Sequence, residues 1–175
     1  NRMSARINNI INHIVFVIDQ STSMSSLTQK VVDVFDGQIQ RLATRSQELD
    51  QETRVSVYLF GYSDDIRCII YDMDVLRLPS LQEHYRPNGM TALLDATGLA
   101  IDELAMTPEL HGEHSFLIYT ITDGMENDSR KLTPRTLSTK ISNLPSHWTL
   151  ATFVPNDDGV QYAAQAGFPA ENISK

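Results

Sequence analysis

A single cysteine, Cys68, occurs in 175 residues, so no internal disulfide can staple the fold. That favours a reducing compartment, and the expectation is an intracellular, cytoplasmic protein. No apolar run approaches the roughly 20 residues needed to cross a bilayer, which excludes a helical membrane span. Positive charge is also scarce: 14 Lys and Arg stand against 22 Asp and Glu, a net charge of −8. A surface this acidic repels phosphate backbones, and no Lys- or Arg-rich patch offsets it, so nucleic acid is not an expected partner. No signal-peptide pattern opens the chain, which starts at Asn1 and reads as a fragment. Glycine, finally, is missing where a nucleotide site needs it. The stretch HIVFVIDQSTSMSS, His13 to Ser26, is an apolar strand ending on an aspartate and a run of hydroxyls, without one glycine.

What is present is an ordinary globular composition, with 41% hydrophobic and 21% charged residues. A chain of this length fits one domain and buries roughly 70% of its unfolded surface. One domain over residues 1–175 is expected, its core spanning about 13–173. Strand-like and helix-like segments alternate, which argues for an α/β layered fold. After the first strand, Leu27, Val31, Phe35 and Ile39 recur every four residues, with Leu42 completing the face of a helix. Ser26 with Gln29 resembles a capping box at its start. The runs Val55–Phe60 and Ile66–Tyr71 are separated only by residues 61–65, too few for a parallel crossover. They should pair as a hairpin, placing one antiparallel strand at the edge of a mostly parallel sheet.

Residues 92–106 read as a helix apolar on most sides, hence buried. Phe116–Ile121 is a second central strand, and Thr133-Pro134 starts a helix with Leu137, Ile141 and Leu144 as its buried stripe. A strand over Trp148–Val154 and a short helix over about Val160–Ala166, capped by Gly167, follow. A last strand and helix are not recognisable.

Two strands end in acid: Ile18-Asp19, followed by Gln20-Ser21-Thr22-Ser23, and Ile121-Thr122-Asp123-Gly124. In open parallel sheets, ligands sit beyond the carboxyl ends of strands where the winding reverses. If the strand order is 3-2-1-4-5, Asp19 and Asp123 face one crevice, and Thr91, in the turn Arg86–Ala92, can overhang it. Two carboxylates and three hydroxyls are all oxygen donors, a set that suits a hard divalent cation, Mg²⁺ best and Mn²⁺ as an alternative. With both carboxylates acting through water, such a cation stays electron-poor and wants an anionic ligand from outside.

Asp19-Gln20-Ser21-Thr22-Ser23, Thr91 and Thr122-Asp123-Gly124 together resemble the metal-ion-dependent adhesion site of von Willebrand factor A domains. The resemblance runs from about His13 to Ile173. It implies a doubly wound, Rossmann-like sheet in which Asp19, Ser21, Ser23, Thr91 and Asp123 are the metal-site residues. Ser21 and Ser23 would bind the cation directly, and Asp19 through water or from behind. Thr91 and Asp123 would alternate between direct and water-mediated contact. The resemblance further implies a non-enzymatic module whose protein partner supplies an Asp or Glu to the metal, in a scaffold or assembly role.

Other readings compete. A haloacid-dehalogenase-like hydrolase would use Asp19 as nucleophile, but Ser21 stands where its second, acid/base aspartate belongs. A flavodoxin-like loop would carry a glycine that this one lacks. No G-x-S-x-G elbow is present, which removes the usual serine hydrolase. Met24, Met90 and Met125 adjoin the metal loops, either as a soft rim for a partner or as packing beneath the loops. Glu126, Asn127 and Asp128 follow the second acid as part of a recognition face or as a solvated turn. His84 and Tyr85 flank or cover the site. His111 and His114 lack the third ligand a zinc ion needs.

Overall fold

A computed structural model describes residues 10–175. Ten regular elements alternate as expected for an α/β chain: β1 (Ile10–Asp19), α1 (Thr28–Glu48), β2 (Glu52–Phe60), β3 (Ile66–Asp74), α2 (Leu93–Leu104), β4 (Glu113–Ile121), α3 (Pro134–Ser142), β5 (Trp148–Phe153), α4 (Asp157–Gln165) and β6 (Ile173–Ser174). The six strands form one sheet in the order β3-β2-β1-β4-β5-β6. All neighbours are parallel except β2 and β3, the expected hairpin, whose register shifts around Val57.

β1 is apolar along its whole centre because both of its faces are covered. Val15 and Val17 point with Tyr58, Phe60, Phe116 and Ile118 to one face, where α2, α3 and α4 pack. Ile14, Phe16 and Ile18 point with Val55, Val57 and Leu59 to the other, onto α1. There the ring of Phe16 meets Phe35 edge-on, with centroids 4.9 Å apart. Helix α2 is buried on nearly all sides, from Leu93 through Gly98 without a break. Its tight seat shows at Gly98, where a Cβ would lie 2.2 Å from Leu132 Cδ1.

Two expectations change. Ser26 and Gln29 form no capping box: a 3₁₀ turn over Thr22–Leu27 runs straight into α1, which has no side-chain cap. The incoming turn occupies the approach where an isolated helix would need a cap. The capping box is instead at α3, where Thr133 and Thr136 exchange hydrogen bonds and Pro134 takes the first helical position. A last strand does exist, as the two residues of β6 pairing with Thr152 and Phe153 of β5. Gly167 caps α4 as expected, with a φ of 107°. Among the described residues no helix is long and apolar enough to cross a membrane.

Candidate metal centre

The parallel pairing of β1 with β4 sets Ile18 beside Ile121, so the two acid-ended strands finish side by side. Past Ile18 the chain turns sharply. The Asp19 carboxylate receives the Ser21 amide on Oδ1 at 2.8 Å and the Thr122 hydroxyl on Oδ2 at 2.7 Å. Its backbone carbonyl accepts the Tyr85 hydroxyl at 2.6 Å. Asp19 is fully buried with no cationic side chain among these contacts. Burial, reinforced by the nearby Asp123 charge, outweighs the Ser21 and Thr122 hydrogen bonds and leaves its pKa pushed up to about 7. Burial and the same two acids also push the Tyr85 hydroxyl up, so it stays a donor.

Around this buried acid the polar oxygens converge. Ser23 donates its hydroxyl to Asp123 Oδ2 at 2.5 Å, and the Ser21 and Ser23 hydroxyl oxygens lie 3.0 Å apart. Asp123 is half-buried and Ser23 exposed, so the cluster opens to solvent on that side. The other Asp123 oxygen accepts the Met125 amide at 3.0 Å. Gly124, with a φ of 85°, allows this turn, and a Cβ there would sit 2.7 Å from the Gly159 carbonyl of α4.

Thr91 joins through its backbone. Its amide donates to Asn127 Oδ1 at 2.8 Å, and its carbonyl accepts from the amides of Asn127 and Asp128. The same loop is tied to the first one: Asn88 donates to the Gln20 carbonyl, Thr22 to the Gly89 carbonyl, and Gly89 to the Thr22 hydroxyl. Four of the five expected residues, Asp19, Ser21, Ser23 and Asp123, therefore share one hydrogen-bonded cluster. Thr91 belongs to the loop clamped beside it.

Glu126, Asn127 and Asp128 make structural bonds rather than a solvated turn. Glu126 accepts the amides of Leu94 and Ser129, and Asp128 accepts the Ser63 amide. Asp95, which the sequence did not single out, does most here: its buried carboxylate accepts the amides of Arg130, Lys131 and Leu132 at 2.7–3.3 Å. Glu126 and Asp95 fix the loop that follows Asp123 to the start of α2, and Asp128 ties it to the turn between β2 and β3. Of the methionines, Met24 is packed in the core, whereas Met90 and Met125 are exposed. Tyr85 is buried under the site and His84 is exposed beside it.

The donor set fits a hard cation. The clustered oxygens come from two carboxylates and two hydroxyls, and a positive charge would relieve the buried Asp19 that burial and Asp123 now penalise. Among the described residues no group of three or more His, Cys, Asp or Glu is placed to hold a metal. The oxygen cluster brings together only two acids, Asp19 and Asp123, its other donors being the Ser21 and Ser23 hydroxyls. His114 is engaged otherwise, with Nδ1 2.9 Å from His13 Nε2 and Nε2 2.9 Å from the Leu110 carbonyl.

No family model matches the chain, and no curated protein matches it. Solved structures do. Proximal thread matrix protein 1 from the mussel byssus superposes with a TM-score of 0.61 at 14% identity, over 95% of this chain and 42% of that one. This chain thus spans less than half of the mussel protein. An aerotolerance-related membrane protein from Bacteroides fragilis gives 0.60 at 14% identity, over 93% and 89%. The SpRpn10 VWA domain gives 0.60 at 11% identity, over 93% and 85%. At such identities the likeness establishes the fold, which is that of a von Willebrand factor A domain.

Proposed function

We propose that the chain is a metal-dependent protein-binding module. Asp19, Ser21, Ser23, Thr91 and Asp123 would hold Mg²⁺, or Mn²⁺ in its place, and the ion would bind a carboxylate of a partner's Asp or Glu. The observation that carries this reading is the contact of Ser23 with Asp123, 100 residues apart, beside the Ser21 hydroxyl at the reversal point of the sheet. When bound, the ion would supply positive charge beside Asp19 and Asp123. The chain's own residues do the rest: Tyr85 and Thr122 pin Asp19, Asn127 holds the Thr91 backbone, and the Met125 amide and Ser23 hydroxyl hold Asp123.

An aspartyl phosphoryl-transfer reading fits the geometry less well. A nucleophilic carboxylate must present an oxygen to substrate, and Asp19 is wholly buried with both oxygens already accepting hydrogen bonds.

Panning a random peptide library on the immobilised chain tests the proposal. Clones eluted by EDTA should share an Asp or Glu, and its change to Asn or Gln should abolish binding. Failure to recover any EDTA-sensitive clone, or recovery of the same clones on Asp123→Ala, overturns it.

A further inference from the structure

The opposite end of the sheet carries a second feature, independent of the metal reading. A groove of about 360 Å³ runs between the C-terminal end of α2 and the early halves of β1 and β2, where β3 ends. Among the described residues, the three most exposed large apolar side chains are Met106 (76%), Tyr71 (73%) and Leu110 (63%), and all three line this groove. Apolar groups scattered singly over a surface need no explanation, but their convergence on one concavity does.

The unpaired charge around them has one sign. Glu52, Asp72 and Glu103 line the same groove. The permanent base there, Arg54, is already committed, 3.3 Å from Asp72 Oδ1 and bonded also to the Asp72 carbonyl. Neither Glu52 nor Glu103 pairs with a base among the described residues. The floor adds Tyr58 and the His13–His114 pair. Burial lowers the affinity of His13 for a proton, so that ring does not add positive charge against the acids near neutral pH. The whole chain, at −8, extends the same field.

We propose that this groove binds a cationic amphipathic peptide segment of a partner protein, its apolar side chains seated among Met106, Tyr71 and Leu110 and its Lys or Arg groups facing Glu52 and Glu103. The groove lies at the far end of the strands from Asp19 and Asp123; taken with the metal reading proposed above, one molecule would hold an acidic group at one end and a basic segment at the other.

Fluorescence anisotropy with a labelled leucine–lysine peptide, its leucines spaced at alternating intervals of three and four residues, reads this directly. Saturable binding to the full chain is expected, weakened about tenfold by Met106→Ser with Leu110→Ser, as for loss of an anchoring side chain. Glu52→Gln with Glu103→Gln should weaken it similarly, and added salt should do the same. All four positions are exposed, so melting temperatures should stay close to that of the parent chain. EDTA and Asp123→Ala should leave this binding unchanged, which separates it from the metal reading. Absence of saturable binding overturns the proposal. So does equal binding of a scrambled peptide of the same composition, of a leucine–glutamate counterpart, or of the parent peptide to the groove variants.

Discussion

Asp19→Asn should stabilise the metal-free protein at pH 8, although it removes a central residue of the site. The carboxylate is fully buried, and its pKa rises from an ordinary 3.8 to about 7. A carboxyl whose folded value is raised binds protons more readily folded than unfolded, so stability falls as pH climbs between those two values. Above pH 7 the full penalty applies, and the gap between 3.8 and about 7 corresponds to about 4 kcal/mol. Asparagine keeps an acceptor for the Ser21 amide but turns a donor towards the Thr122 hydroxyl, which costs about 1–2 kcal/mol. The net gain at pH 8 is about 2–3 kcal/mol. At pH 4 the parent carboxyl is largely protonated in the fold, so only the hydrogen-bond cost remains and the variant should be the less stable by about 1 kcal/mol. Urea unfolding in EDTA at both pH values, followed through midpoint and slope, reads the difference. If Asp19→Asn is destabilising at pH 8, or its effect does not change sign between the two pH values, the account of a buried, uncompensated charge is wrong.

Asp95→Ala should cost about 3–5 kcal/mol, because it strands three backbone amides that a buried carboxylate now satisfies, and urea unfolding would show it. It should also weaken metal binding, since the freed loop carries Asp123 at its head; unchanged affinity in a folded variant would refute that link. At His13, burial first and then the neighbouring His114 hold the pKa below 6.5. The unfolded chain therefore takes up the proton first, and this residue's contribution to stability is lost as pH falls through 6.5 towards the folded value. In EDTA, His13→Phe should lose less stability than the parent between pH 7 and pH 5; identical slopes would contradict the assignment.

Much of the architecture was readable because it rests on short-range rules. The five-residue gap after Phe60 forces a hairpin, and the doubly apolar runs at Val15–Ile18 and Phe116–Ile121 mark strands covered on both faces. Asp19 and Asp123 could be singled out as candidates because one closes and the other closely follows such a strand. What stayed hidden depends on partners distant in sequence. Nothing near Asp95 announces that it faces the amides of Arg130 to Leu132, and nothing near His13 announces His114. The Ser26–Gln29 pattern looked like a helix start because pattern alone cannot show a 3₁₀ turn feeding the helix from behind. Thr91 was placed by its hydroxyl, whereas the bonds that fix it to the neighbouring loop are those of its amide and carbonyl.

Isothermal titration of the chain with Mg²⁺ at pH 8, beside Asp123→Ala, bears most directly on whether these loop oxygens form a cation site. One ion per chain should bind the parent and raise its melting temperature, and the variant should stay folded but show neither effect. A parent that takes up no ion, or a variant that binds it as tightly, would contradict the assignment.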